Sequence, residues 1–298
     1  MSASIVSIVI PTYKPHFLEQ AVDSALAQTF RSTEIVVSDH CPGEEVHRIV
    51  SRYPNIRYQR NLVSGVYSNF RNCMRLARGE FVKFLLDDDL LAPNCVERLV
   101  KGFRDHKGAT LVSSWYQTID ENDKEIELRR FSVDHDVVSS AGGSAAPMLV
   151  AAKNPIGPLT TSMFRRRSFP LGLGPWFFQA EAPTRYFGLM DMAIILDLAF
   201  QGRTVVIAEP LSAMRTHPQQ LSNPDTNPRV VHSLTSWIPL AEDAYAYGLI
   251  SHQQRQEALK NILEMFRRFL HLFPVLAEDI ADLEVKLHAI SKSQRTII

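Results

Sequence analysis

Cysteine is scarce in this 298-residue chain: Cys41, Cys73 and Cys95 are all there is, with no CxxC pair and no Cys/His spacing around them. Such an odd, scattered set argues against a disulfide framework and a structural zinc site, and a reducing cytoplasmic compartment is the expectation. Long apolar runs are missing too. No uninterrupted stretch approaches the roughly 20 residues of a membrane span. The opening Met1-Ser-Ala-Ser-Ile-Val-Ser-Ile-Val-Ile-Pro11 lacks a basic region followed by an apolar core. Nor is one charge sign in excess. Lys+Arg and Asp+Glu are both 32, so nothing in the balance calls for nucleic acid.

What is present suffices for a sizeable core, with hydrophobic residues at 45%. Strand-like and helix-like segments alternate from the start. Ile5 to Ile10 is β-branched and closes on Pro11-Thr12-Tyr13. Phe17, Leu18, Ala21, Val22, Ala25 and Leu26 follow at helical spacing. Glu34 to Ser38 predicts a second strand ending at Asp39, and Asn55 to Arg60 a third. Asn69 to Ala77 predicts a helix, Phe81 to Leu86 a buried strand, and Pro93 to His106 a helix. This alternation predicts an α/β fold with a mostly parallel sheet flanked by helices, in which ligands sit beyond the carboxyl ends of the strands.

The strand from Phe81 ends in three consecutive acids, Asp87-Asp88-Asp89. Adjacent like charges make such a site costly unless cations neutralise them, and hard divalent ions share carboxylate oxygens with substrate phosphates. A solvated acidic turn is the alternative. Thr12 and Asp39, at the ends of two further strands, would face the same crevice.

In order and spacing, Val6-Ser-Ile-Val-Ile-Pro-Thr-Tyr13, Glu34-Ile-Val-Val-Ser-Asp39, Gly65-Val-Tyr-Ser-Asn-Phe70 and Gly79-Glu-Phe-Val-Lys-Phe-Leu-Leu-Asp-Asp-Asp-Leu-Leu-Ala-Pro93 resemble family 2 glycosyltransferases of the GT-A fold, in their nucleotide-binding half. The resemblance implies an inverting enzyme dependent on a nucleotide-diphosphate sugar and Mg²⁺ or Mn²⁺. It implies that Pro11, Thr12 and Tyr13 lie against the base, that Asp39 hydrogen-bonds it, and that Asp87 approaches the ribose. It gives Asp88 to the metal, aided by Asp89 and His217. Many members carry Asp-x-Asp-Asp, and in that register Leu86 stands at the first acid.

Downstream, Tyr186-Phe-Gly-Leu-Met-Asp191 begins a leucine-rich helix with Gly202 after it. An acid in a first helical turn is favourable through the helix dipole alone. The segment also resembles the family's helix whose aspartate is the general base, a role that falls to Asp191, with Met190 replacing the preceding acid. Arg215-Thr-His217 through Ser222 resembles the family's closing loop, with Arg215 a further candidate for the nucleotide sugar. Lys83 and Arg71 are weaker phosphate candidates, and the loop Gly172-Leu-Gly-Pro-Trp-Phe-Phe178 can stack on sugars or pack on the core.

The expected organisation is a GT-A domain over 1–222, with a nucleotide-binding half at 1–106 and an acceptor half at 107–222, then a helical extension over 223–298. The acceptor expected is a saccharide, a lipid-linked molecule or a small molecule. Leu276, Ile280, Leu283, Leu287 and Ile290 leave a homodimer seam open, and Arg267-Arg268 beside apolar residues leaves open a peripheral contact at the inner face of the membrane. Two other functions compete. A nucleotidyltransferase calls for a glycine-rich phosphate loop, which Pro11-Thr-Tyr-Lys-Pro15 is not, and a non-catalytic nucleotide-sugar-binding scaffold fits the loss of acids at Leu86 and Met190.

Overall fold

The first strand, β1 (Val6–Thr12), is buried along its whole length, as suits a parallel strand covered on both faces. The computed structural model describes residues 6–63, 65–131, 134–168, 186, 188–218, 220 and 223–295. Contacts divide the chain into two units. The first takes the described residues of Met1–Ser140, Ile156–Phe169 and Gln201–His217, and the second those of Ala141–Pro155, Pro170–Phe200 and Pro218–Ile298. The second unit thus groups two segments from earlier in the chain with the carboxy-terminal helices.

In the first unit, β1 is followed by α1 (Leu18–Leu26), β2 (Thr33–Asp39), α2 (Glu45–Val50), β3 (Ile56–Arg60), α3 (Val66–Leu76) and β4 (Phe81–Phe84). Then come β5 (Leu90–Leu91), α4 (Cys95–Asp105), β6 (Ala109–Ile119), β7 (Glu125–Arg129) and β8 (Val137–Ser139). The sheet is completed by β9 (Ser162–Arg165) and β10 (Arg203–Arg215). Its order is β3-β2-β1-β4-β9-β6-β10-β5, with β7 on β6 and β8 on β10. The strands β3, β2, β1 and β4 are parallel to their neighbours in that block, and β6 is parallel to β10. β9 enters antiparallel to both β4 and β6, so the sheet as a whole is mixed.

The register prepares a site. Thr12 stands beside Asp39, and Asp39 beside Arg60. Val9 stands beside Phe84, so the chain leaving β4 delivers Asp87 to the row of Thr12. α4 lies close to the sheet at Gly102, where a Cβ would sit 2.8 Å from Val112 Cγ1.

By sequence, Thr204 to Ala208 predicts a short strand, and Leu211 to Ser222 resembles the closing loop of family 2 glycosyltransferases. Instead β10 runs unbroken to Arg215, with register irregularities on either side of Pro210. Proline cannot donate to a ladder and is tolerated at such irregularities. The two-residue β5 pairs antiparallel with Ser212 and Ala213, which ties the chain just after the acidic turn to β10.

The second unit is helical among its described residues. It contains α5 (Ala145–Ala151), α6 (Met190–Gln201, whose last residue falls in the first unit), α7 (Val230–Thr235), α8 (Trp237–Ala246), α9 (His252–Phe269) and α10 (Leu276–Arg295). In α6, every residue from Met192 to Ala199 is buried, so it is a core helix rather than an amphipathic one. A capping box starts α9: Gln254 N–H donates to Ser251 Oγ at 3.2 Å, and Ser251 N–H to Gln254 Oε1 at 2.8 Å. α9 packs on α5, α8 and α10. Leu276, Leu283 and Ile290 of the candidate seam are buried within the single chain. Among the described residues, no helix is long and apolar enough to cross a membrane.

Candidate active site

Three donors from the end of β1 converge on one oxygen of Asp87. Thr12 Oγ1 donates to Oδ2 at 3.0 Å, Tyr13 N–H at 2.9 Å and Lys14 N–H at 3.0 Å. Burial, with Asp88 next to it, nevertheless pushes the Asp87 carboxyl up to about 6. Next in the row, Asp39 is fully buried. Its Oδ1 accepts from Cys41 N–H at 2.7 Å, and its Oδ2 from Tyr58 Oη at 2.6 Å and Arg60 Nη1 at 2.8 Å. The expected base contact is thus occupied by two side chains of β3, and Tyr58 is pushed up to about 12 by burial and by Asp39.

Asn69, on α3, staples the two strand ends. Its Nδ2 donates to the carbonyls of Thr12 at 3.1 Å and Ser38 at 2.9 Å, while Ser38 Oγ donates to its Oδ1 at 2.6 Å. His40 Nε2 accepts from Gly65 N–H at 2.9 Å, and its ring lies 5.4 Å from that of Tyr13. Tyr13 is 49% exposed, so an aromatic face is open to a planar ligand at this end.

The other two acids part company. Asp88 Oδ2 meets His217 Nε2 at 3.1 Å, and its side chain keeps 28% of its surface exposed. Asp89 turns inward at 1% exposure. Its Oδ1 accepts from Arg215 N–H at 3.0 Å and its Oδ2 from Thr160 Oγ1 at 2.5 Å. Burial first, then Asp88, raises its carboxyl well above the ordinary range. Both oxygens of Asp89, expected to aid in holding the metal, thus accept hydrogen bonds from the chain itself. Thr160 Oγ1 also accepts from Leu86 N–H at 3.1 Å, so the position where an acid was expected contributes its backbone to the same frame.

The candidate cations Arg215 and Lys83 also turn inward. Arg215 is 1% exposed and Lys83 fully buried. The Lys83 ammonium donates to the Thr160 carbonyl, and burial lowers its pKa. Every Arg215 guanidinium contact is to an oxygen or ring of the chain itself. Both support the acidic turn.

Asp88 and His217 suit a hard divalent ion: a carboxylate and an imidazole meet at a partly open edge. Among the described residues no group of three His, Cys, Asp or Glu side chains gathers for a metal. An ion held there would take its remaining ligands from substrate oxygens and water, as is usual for Mg²⁺ with phosphates.

In the second unit, Asp191 lies in the first turn of α6. Its Oδ1 accepts from Met192 N–H at 2.8 Å. Burial pushes the carboxyl up to about 6, against the opposing pull of backbone hydrogen bonds. The loop Gly172–Phe178 and Ser222 lie outside the described residues.

Sequence reasoning missed Thr160, Tyr58 and Arg60 as supports of the site. Arg60 ends its strand in the row of Asp39, a signal that counting strand positions could have found. Thr160 offered none, because its partners lie more than 70 residues away in the chain.

The family model for glycosyl transferase family 2 matches residues 7–170 of the 298. An uncharacterized glycosyltransferase of Rickettsia felis is 34% identical over 123 residues, 39% of this chain and 20% of that protein. Chondroitin synthase of Escherichia coli is 30% identical over 121 residues, 39% of this chain and 18% of that protein. The matched region is thus about a fifth of these curated relatives' length. In fold, the chain resembles S. aureus TarS 1–349 in complex with UDP, with a TM-score of 0.60 at 16% identity over 89% of this chain and 72% of that one. It also resembles TarS 1–349 in complex with UDP-GlcNAc, with a TM-score of 0.55 at 15% identity over 98% and 91%. With the family model covering more than half of its length, the chain belongs to glycosyl transferase family 2.

Proposed function

We propose that the protein transfers a sugar from a nucleoside diphosphate sugar to an acceptor hydroxyl, with inversion and with Mg²⁺ or Mn²⁺. The observation that carries this reading is the meeting of Asp88 Oδ2 and His217 Nε2 at 3.1 Å, one residue from an Asp87 carboxylate held by Thr12 and the loop after it. Asp88 and His217 would hold the ion, which would neutralise charge developing on the leaving diphosphate. Tyr13 offers its exposed ring to the base, and Asp87 an acceptor oxygen to the ribose.

Asp191 is the proposed general base. Its raised pKa suits proton transfer near neutral pH. The acceptor oxygen forms a bond to the anomeric carbon as the bond from that carbon to the diphosphate oxygen breaks. The hydroxyl proton passes to the Asp191 carboxylate, and the electron pair of the broken bond leaves with the diphosphate. A single displacement of this kind inverts the anomeric centre. Similarity in fold to TarS, solved with UDP and UDP-GlcNAc, makes uridine diphosphate sugars the first donors to test. The acceptor class proposed is a saccharide, a lipid-linked saccharide or a small molecule bearing a hydroxyl.

The test is release of nucleoside diphosphate from a panel of nucleotide sugars with Mn²⁺, with and without acceptors. Release that depends on Mn²⁺ and on Asp88 supports the reading. Donor binding with no turnover across a broad acceptor panel would replace it with a scaffold, and pyrophosphate release from a nucleoside triphosphate plus a sugar phosphate would replace it with nucleotidyl transfer.

A further inference from the structure

Arg215 is the largest fully buried side chain among the described residues. A buried guanidinium is costly unless its donors are satisfied, and here they bind three separate pieces of the first unit. Nε donates to the Asp88 carbonyl at 3.0 Å, and Nη1 to the Asp120 carbonyl at 3.0 Å. Nη2 donates to Gln20 Oε1 of α1 at 3.2 Å and pairs with Asp123 Oδ1 at 2.6 Å. The guanidinium carbon lies 4.3 Å from the centroid of the Phe17 ring, and that ring also neighbours His217, with centroids 5.6 Å apart.

The backbone adds to this brace. Arg215 N–H donates to Asp89 Oδ1 at 3.0 Å, and Thr216 N–H to the Ile119 carbonyl at 2.8 Å. His217 follows directly and meets Asp88. Asp123 reaches Arg215 from the β6–β7 turn with φ of 65°, a left-handed conformation that a non-glycine residue keeps where its surroundings impose it. One side chain therefore fixes the Asp88 peptide and, through its own backbone, the approach of His217.

We propose that Arg215 is a positioning residue: by clamping the Asp88 carbonyl, the Asp120–Lys124 turn and α1 together, it sets the spacing of the Asp88 and His217 ligand atoms and hence the affinity for the divalent ion. The inference rests on the reading of those two side chains as ion ligands. Removing a group that orients a metal ligand typically costs about 10–100-fold in affinity.

The test measures Mn²⁺ binding to the full chain by electron paramagnetic resonance in excess UDP, alongside the melting temperature. It compares wild type with Asp88→Ala, Arg215→Lys and Asp123→Gly. Glycine adopts the left-handed turn without steric cost, so Asp123→Gly removes the carboxylate contact alone, and it decides the matter should Arg215→Lys fail to fold. The expected result is Mn²⁺ binding weakened at least about tenfold by Arg215→Lys and about threefold or more by Asp123→Gly, with UDP binding in chelator unchanged. A purely structural Arg215 would lower the melting temperature and leave the Mn²⁺ affinity of the folded protein at the wild-type value, which overturns the proposal. If Asp88→Ala loses Mn²⁺ while both brace variants keep it, this inference alone falls. If wild type and Asp88→Ala bind Mn²⁺ equally, or neither binds, the ligand assignment falls and takes the inference with it.

Discussion

Asp89 accepts hydrogen bonds on both carboxylate oxygens, from the Arg215 amide and from Thr160, whereas Asp191 accepts from the next amide of its own helix. Both carboxyls are raised, for different reasons. At the acidic turn burial acts together with the neighbouring Asp88 charge, and at α6 burial is the one cause that raises the pKa. A turn tied to Thr160, Arg215 and the β1 loop is built to stay still and present Asp88. Among the described residues the Asp191 carboxylate is held only by backbone amides of its own helix turn, so protonation there disturbs no side-chain partner. The proposed function draws on this contrast: it gives donor and ion binding to Asp87 and Asp88 and proton transfer to Asp191.

The contrast is broken or sharpened by variants of increasing subtlety. Asp191→Asn keeps an oxygen for the Met192 amide but cannot take a proton. Turnover should fall by about 10³-fold, within the usual range for a lost general base, in an assay of diphosphate release, with the donor's dissociation constant within about twofold of wild type. Turnover near wild type would remove Asp191 from the chemistry.

Thr160→Val comes next. It leaves Asp89 Oδ2 and the Leu86 amide without their partner, at a cost of about 1–3 kcal/mol in unfolding free energy by denaturant titration. An unchanged midpoint would mean that the turn is held by other contacts.

The pH dependence bears on Asp191 next. Asp191 acts as a base only when ionised, so kcat/KM should rise with pH through about 6 and level off above. A rate that falls over that interval contradicts the assignment. Stability should run the other way. Because the folded pKa of Asp191 lies above its ordinary value of 3.8, its contribution is full below that value and is lost as pH rises through about 6. Asp191→Asn should therefore melt higher than wild type at pH 8, by roughly a few degrees, and the difference should close near pH 4. Equal melting temperatures at both pH values would show that the carboxylate carries no burial penalty.

Much of the parallel half of the sheet was legible because its strands are buried β-branched runs that stop at polar residues. Val6 to Thr12, Thr33 to Asp39 and Phe81 onward each announce both a strand and the edge where it ends. The long β10 was not legible past Ala208, since the segment from Leu211 resembles the family's closing loop, and only pairing with β6 and β5 makes Leu211–Arg215 a strand. At the site, the residue types pointed to a metal and a diphosphate, but not to which acid faces outward. That depends on Thr160 and Arg215, whose contacts with the turn span 71 and more than 120 positions and leave no periodic trace. Arg215 became a ligand candidate only through the resemblance of its segment to the family's closing loop; in the structure its guanidinium is buried against the Asp88 and Asp120 carbonyls and Gln20.

One measurement puts the division of labour to the test: calorimetric binding of UDP with Mn²⁺ and with chelator, for wild type, Asp88→Ala and Asp191→Asn. The account predicts that wild type and Asp191→Asn bind UDP alike and lose affinity alike on chelation, and that Asp88→Ala binds weakly with or without Mn²⁺. Asp88→Ala binding as wild type does, or Asp191→Asn losing the Mn²⁺-dependent part, would contradict it.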